Sequence, residues 1–360
     1  MTLLLGCISG TSVDGLDIAL LDLTTTPPKI ADATTVPLAA ELRDQLLELG
    51  QSEDVNIDAL GQVDAALGEF IGTSIASFLA DRNIATDSIQ AIGSHGQTIR
   101  HRPPGQVPQP FTMQIGDASR IAEITHITTV ADFRRRDVAA GGHGAPLVPP
   151  FHRVLFDIDT PTIVVNIGGI SNITILDAST SGFDTGPGNC LMDSFCRQHT
   201  GDAYDKDGAW GAAGAVDESL LEQMLSDPYF SAPAPKSTGR EYFNLAWLKQ
   251  FDVDSLPPQD VQATLRELTA RCICDASNAY AAEQVIVCGG GRLNQALMAS
   301  LATQSNVQVF TSEEKGVDGD AIEAAAFAWL AGQAIDRQPG NEPAVTGADG
   351  YRMLGAIYPA

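Results

Sequence analysis

The sequence predicts an α/β protein built from two related domains. Strand-like and helical segments alternate along the chain, a hairpin pattern with a small-residue turn occurs near residue 10 and again near residue 168, and 360 residues suit two domains. The expected division is 1–160 and 161–360, with the boundary near 150–162 and no low-complexity linker to mark it.

The first hairpin pairs the apolar run Leu3–Ser9 with Leu16–Leu23 across Gly10-Thr11-Ser12-Val13-Asp14-Gly15. Helical patterns follow at Ala39–Glu48 and Asp58–Ala80, then a strand at Ile89–Ser94. Extended pieces at Thr98–Arg100 and Phe111–Ile115 flank the Pro-rich loop His101–Pro110. Asp117 should cap a short helix, with a strand near Ile127–Val130 after it. The loop Ala131–Pro146 carries Arg134, Arg135 and Arg136. The second hairpin joins Thr162–Ile167 to Ile173–Leu176 through Gly168-Gly169-Ile170-Ser171-Asn172. Helices are expected at Asn189–Gln198, Asp217–Leu225 and Pro258–Ala282. A buried strand Val285–Cys288 then leads through Gly289-Gly290-Gly291 into a helix Leu293–Ala302. A strand Val307–Phe310 and an Ala-rich helix Asp320–Ala334 complete the pattern, and the alternation implies largely parallel sheets.

Composition narrows the function. Hydrophobic residues make up 44% of the chain, enough for a sizeable core. Against 21 Lys and Arg stand 45 Asp and Glu, a formal charge of −24, so nucleic acid and anionic membrane surfaces are not expected partners. Six cysteines occur without a CxxC pair, which suits reduced, buried thiols. The opening MTLLLGCISG lacks a basic segment and soon meets Asp14 and Asp17, unlike a signal peptide. No run of eighteen apolar residues occurs, so no membrane span is expected and the cytoplasm is the expected compartment.

A turn of Gly, Ser and Thr exposes backbone N–H groups and lets a phosphate chain approach closely. One such turn is ordinary; two, one from each half, together with the third glycine segment at 289–291, favour a polyphosphate ligand. The spacing around Gly289 is not GxGxxG, and GxxxxGK[ST] is absent, so neither a dinucleotide fold nor a P-loop is indicated. Gly289, Gly290, Gly291 and Asn294 suit a flat strand end on which a purine or ribose lies. Asp184, in Gly182-Phe-Asp-Thr-Gly-Pro-Gly-Asn189, reads either as a turn carboxylate or as a general base at a cleft. Asp14 reads either as a solvated turn residue or as a carboxylate holding Mg²⁺ through water. His95 alone is by default a hydrogen-bonded structural histidine. Arg120 and the Arg134–Arg136 group point to local attraction for a small anionic substrate.

Several motifs carry a family resemblance. Cys7-Ile-Ser-Gly-Thr-Ser-Val-Asp-Gly-Leu-Asp17, Gly93-Ser-His-Gly-Gln-Thr98, Ala131-Asp-Phe-Arg134 and Asn166-Ile-Gly-Gly-Ile-Ser-Asn172 resemble the anhydro-N-acetylmuramic acid kinases of bacterial cell-wall recycling. So do the Asp184 segment, Pro235-Lys-Ser-Thr-Gly-Arg-Glu241, Val287-Cys-Gly-Gly-Gly291, Asp320-Ala-Ile-Glu-Ala-Ala-Ala-Phe327 and Leu354-Gly-Ala-Ile-Tyr-Pro359, in order over essentially the whole chain. The resemblance implies the sugar kinase/Hsp70/actin (ribonuclease H-like) fold, two α/β domains around an ATP cleft. It also implies ATP-dependent opening of the 1,6-anhydro ring with phosphorylation at O6. ATP phosphates are then expected at Gly10, Thr11, Ser12, Val13, Asp14, Gly15, Leu16 and Asp17, with Asn166, Gly168 and Gly169 from the second turn. Asp184 is the expected base, and His95, Arg120, Arg134 and Glu323 the expected sugar contacts, one Arg pairing with the lactyl carboxylate. A homodimer is implied by the same resemblance. Another sugar or acetate-type kinase, or a nucleotide-gated filament protein, are the alternatives.

Overall fold

The computed structural model describes residues 3–10, 13–52, 54–156, 160–234 and 236–360. Among them the strands are β1 Leu3–Ser9, β2 Gly15–Asp22, β3 Lys29–Pro37, β4 Ile89–Arg102, β5 Phe111–Ile115, β6 Thr129–Ala131, β7 Thr162–Ile167, β8 Ile170–Leu176, β9 Thr180–Pro187, β10 Gln284–Cys288, β11 Gln308–Thr311 and β12 Ala356–Tyr358. The chain divides into two compact units, residues 1–157 with 321–360, and residues 158–320.

In the first unit the sheet order is β12-β6-β4-β1-β2-β3, with β5 on β4. β1, β2 and β3 form an antiparallel meander, whereas β4 runs parallel to β1 and β6 parallel to β4. The helix Ile57–Asp81 is capped by Asn56, whose side chain accepts from the N–H groups of Asp58 and Ala59, and buries Val63, Leu67, Ile71, Ile75 and Phe78 at helical spacing. By length and composition it is the one described helix able to cross a bilayer, but half of its most apolar stretch is buried within the protein. The helix Ile322–Ile335 packs on β1, β2 and β4. Alanine dominates it because the approach is close: a methyl on Gly6 would overlap the Ala324 carbonyl, and one on Gly93 the Phe327 carbonyl.

The expected assignment of 321–360 to the second domain is therefore corrected. The Ala-rich helix covers the first sheet, and β12 pairs antiparallel with β6 at its edge. Apolar periodicity shows that a helix is buried, not which sheet it covers.

The second unit repeats the arrangement, with order β11-β10-β7-β8-β9. β7, β8 and β9 form the antiparallel meander, and β10 runs parallel to β7 and β11. Its core joins Ile163, Val165 and Ile173 of the sheet to Val261, Leu265 and Leu268 of the helix Pro258–Asn278. In both units three antiparallel strands precede two parallel ones, so the expectation of largely parallel sheets is also corrected. β3 and β9 escaped the sequence reading because β3 is a polar, half-exposed edge and β9 holds two glycines and ends on Pro187. The loop 131–146 contains a short helix, Phe133–Ala139. All six cysteines are buried and none is in a disulfide.

Candidate active site

The first turn lies between β1 and β2; Thr11 and Ser12 fall outside the described residues. Val13 donates its N–H to the Gly10 carbonyl at 3.1 Å and sits at φ 55°, left-handed and costly for a β-branched residue. Its side chain is buried, as is that of Leu16, so both contribute core packing. Asp14 is largely exposed and pairs with Arg43 at 3.3 Å. Asp17 accepts from Thr35 Oγ1 at 2.6 Å.

The second turn is braced by the start of the helix Asn189–Thr200. The Gly168 carbonyl accepts from the Asn189 N–H at 2.8 Å, and the Gly169 carbonyl from Gly188 and Cys190 at 2.9 and 3.0 Å. Asn189 Nδ2 also donates to the Ile167 carbonyl at 3.2 Å. At the end of β10, Gly289 has φ 75° and ψ 170°, a conformation essentially confined to glycine, and an added methyl would overlap the Asn166 side chain. Arg292 pins this segment from beneath, donating to Asp320 at 2.7 and 3.0 Å, to Glu313 at 2.6 Å and to the Gly289 carbonyl at 3.0 Å. Asn294 caps the helix Gln295–Gln304 through its side-chain oxygen, which is thereby occupied. Beside these residues opens a cavity of ≈ 620 Å³ lined by Asn189, Asp193, Tyr204, Lys206, Gly290 and Asn294 among others. Burial pushes the Asp193 carboxyl up to about 6, against the opposing charges of Arg240 and Arg197.

Asp184 is on β9, where the segment Lys236–Thr238 lies against it. Its N–H donates to the Lys236 carbonyl at 3.0 Å and its own carbonyl accepts from Tyr229 Oη at 2.7 Å. Its Oδ2 accepts from Ser237 Oγ and from the Thr238 N–H, both at 3.0 Å. Burial raises the carboxyl above its usual range, partly offset by these two donors, and Glu241 raises it further. One carboxylate oxygen is thus fixed while the other accepts no hydrogen bond among the described residues, an arrangement suited to receiving a proton. Sequence reasoning named Asp184 but gave no role to Tyr229, Ser237, Thr238 or Arg240; the Pro235–Glu241 motif was the signal for three of these.

In the first unit, three expected sugar contacts gather. Arg134 Nε donates to His95 Nε2 at 2.9 Å and Nη1 to the Gly144 carbonyl at 2.7 Å. Burial lowers the guanidinium to about 10, while the charges of Glu323 and Asp137 support it. Asp137 anchors the surrounding loops, accepting from the Gly144 N–H, Asn341 Nδ2 and Thr346 Oγ1, each at 2.8 Å. Arg120 is half-exposed and pairs with Asp117 at 3.3 Å one helical turn away; Asp117 caps that helix as expected.

Comparison with known proteins decides the family. A family model described as anhydro-N-acetylmuramic acid kinase matches residues 2–360. This chain belongs to the anhydro-N-acetylmuramic acid kinase family. Curated relatives of that name include one from Xanthomonas campestris pv. campestris, 50% identical over 369 residues with 99% of this chain and 97% of the relative covered. Others come from Photobacterium profundum, 48% identical over 370 residues with 99% and 98% covered, and Coxiella burnetii, 48% over 363 residues with 98% and 96% covered. The chain is thus a kinase, and its two units of matching topology are the duplicated α/β architecture expected of the family. Among solved structures, component A of the Acidaminococcus fermentans (R)-2-hydroxyglutaryl-CoA dehydratase is 11% identical with a TM-score of 0.45, covering 91% of this chain and 100% of its own. A ROK family glucokinase from Streptomyces griseus is 11% identical at 0.40, covering 90% and 99%. Likenesses this distant say nothing about ligands.

Proposed function

We propose that this chain uses ATP to phosphorylate 1,6-anhydro-N-acetylmuramic acid at O6, opening the anhydro ring with water to give N-acetylmuramic acid 6-phosphate in cell-wall recycling. A 1,6-anhydro sugar has no free 6-hydroxyl, so water must add at C1 as the C1–O6 bond breaks. Asp184 takes a proton from that water on the oxygen left open by Ser237 and Thr238; the water oxygen bonds to C1. O6 leaves C1 and attacks the γ-phosphorus, and the bond from that phosphorus to the bridging oxygen breaks, releasing ADP. The fixed carboxylate of Asp184, desolvated and braced on one oxygen, is the observation that carries this reading.

The turns at 10–17 and 166–169 supply N–H groups to the phosphates, and the cavity beside Gly290 and Asn294 receives the nucleoside. Among the described residues no cluster of three His, Cys, Asp or Glu side chains forms a metal cage. Mg²⁺ held chiefly by nucleotide phosphates needs only one or two carboxylates, and exposed Asp14 fits such a water-mediated role. When bound, Mg²⁺ supplies neutralisation of phosphate charge. Arg134, oriented by His95 and balanced by Glu323, pairs with the lactyl carboxylate, and exposed Arg120 is the alternative partner. The protein acts as a cytoplasmic homodimer in this reading, which light scattering on purified protein checks.

Incubation with ATP, Mg²⁺ and the anhydro sugar in ¹⁸O-water tests the reaction. The label is expected at C1 and the phosphate on O6. A phosphorylated product with no label, or phosphate on a ring hydroxyl of an intact bicycle, would instead mark an ordinary sugar kinase.

A further inference from the structure

Arg240 is the basic side chain of the second unit that lies against the Gly168-Gly169 turn. It is exposed, and among the described residues no carboxylate lies within salt-bridge distance of it. Its guanidinium lies flat against the second turn: a methyl on Gly169 would overlap its Nε and come within 2.8 Å of its Cζ. Its charge is felt by Cys190 and Asp193 in the first two turns of the helix Asn189–Thr200, and Asp193 lines the cavity beside Gly290. It follows Ser237 and Thr238 by two or three residues, on the segment that holds Asp184. The carbonyls of Gly168 and Gly169 already accept from the N–H groups of Gly188, Asn189 and Cys190, and no hydrogen bond from the Arg240 guanidinium to the turn is among those of the described residues.

We propose that Arg240 is a further catalytic residue, whose guanidinium holds the oxyanion of the transferred phosphoryl group at the Gly168-Gly169 turn. The assignment rests on the reaction proposed above. As O6 bonds to the γ-phosphorus and the bond to the bridging oxygen breaks, negative charge grows on the peripheral and bridging oxygens. The guanidinium N–H groups neutralise that charge without giving up a proton, and the water's proton stays on Asp184. The segment 236–240 thus braces the base through Ser237 and Thr238 and carries the cation. A guanidinium also fits a carboxylate, so the lactyl group of the sugar is the other source of an oxyanion. Contact with the glycine turn, on the side of the nucleotide cavity, favours the phosphoryl group.

The test is steady-state kinetics of full-length Arg240→Ala, Arg240→Lys and Gly169→Ala with ATP and anhydro-N-acetylmuramic acid. Arg240→Ala should lower kcat about 10²–10³-fold, the usual cost of removing one donor to a developing oxyanion. KM for ATP and for the sugar should each stay within about threefold, since the interaction strengthens in the transition state. Added guanidinium ion should restore part of the rate to Arg240→Ala, and Arg240→Lys should fall between. Gly169→Ala, which displaces the guanidinium, should lower kcat without adding to the Arg240→Ala loss. A raised sugar KM with kcat unchanged would move Arg240 to the lactyl carboxylate and overturn the assignment. A kcat loss that guanidinium does not rescue and lysine does not relieve would make the role structural, and also overturn it. Wild-type protein inert toward both substrates would sink the parent reaction, whereas an active wild type matched by Arg240→Ala sinks this assignment alone.

Discussion

Arg134 Nε donates a hydrogen bond to Nε2 of His95 across 2.9 Å. A guanidinium only donates, so Nε2 must carry a lone pair, and the ring proton sits on Nδ1, which donates to the Gly96 carbonyl at 3.0 Å. Burial and the Arg134 charge both hold the imidazole well below its ordinary pKa. His95 is therefore neutral and holds the Arg134 guanidinium by this bond.

The first prediction follows from that pair. Loss of the oriented guanidinium in Arg134→Ala should raise KM for the lactyl-bearing sugar about 10–100-fold, the worth of a charge-assisted hydrogen bond. His95→Ala, which leaves Arg134 charged but unaligned, should give a smaller rise in the same parameter. Comparison with 1,6-anhydro-N-acetylglucosamine, which lacks the lactyl acid, isolates the effect; unchanged selectivity in Arg134→Ala would exclude the pairing.

Asp184→Asn keeps the shape of the side chain and removes the proton acceptor of the proposed reaction. kcat should fall by at least about two orders of magnitude, the lower range for general-base assistance, with ATP affinity nearly intact. Turnover close to normal would take Asp184 out of the mechanism.

Ser237→Ala removes a donor that stabilises the ionised form of Asp184, so the carboxyl should rise further above its usual range. The acid limb of the kcat/KM profile should move to higher pH, because the base is protonated over a wider range. A lower plateau with an unmoved limb would show that Ser237 only shapes the segment.

How much of this was legible in the sequence varies by residue, for physical reasons. Asp184 and both turns announced themselves because glycine and proline around an aspartate mark constrained backbone. The helix at 322–335 was legible as a buried helix, but its sheet was not, since Gly6 and Gly93, the residues that admit it, lie hundreds of positions away. β9 was hidden because its glycines and terminal proline read as turn chemistry, although its pairing with β8 overrides that local preference. His95 was visible only as an isolated histidine, because its partner Arg134 is 39 residues distant.

His152 gives a prediction about stability. It is 2% exposed, and burial lowers its pKa to about 3. The folded value lies below the unfolded one, so above about pH 6.5 the neutral ring adds no pH dependence, and below it only the unfolded chain gains the proton. Between about pH 6.5 and 4 the wild type should lose about 1.4 kcal/mol per pH unit relative to His152→Gln. Urea unfolding of both proteins across that range measures it; parallel stability curves would mean the ring protonates in the folded state.

The packing of the Ala-rich helix on the first sheet makes a sharper claim. At Gly6 and Gly93 an added methyl meets backbone carbonyls of Ala324 and Phe327, which cannot swing aside as a flexible side chain would. Gly6→Ala and Gly93→Ala should each destabilise the protein by about 1–3 kcal/mol, the range for overpacking a tight core, with the helix pushed off the strands. Gly10 is the internal control: among the described residues its methyl would meet nothing within 4 Å, so Gly10→Ala should leave the denaturant midpoint nearly unchanged. Because Gly10 borders the turn proposed to hold the ATP phosphates, the same variant should act on KM for ATP instead. Equal midpoints for Gly6→Ala and Gly10→Ala would mean that the helix does not lie against β1, and the placement of 321–360 in the first unit would fail with it.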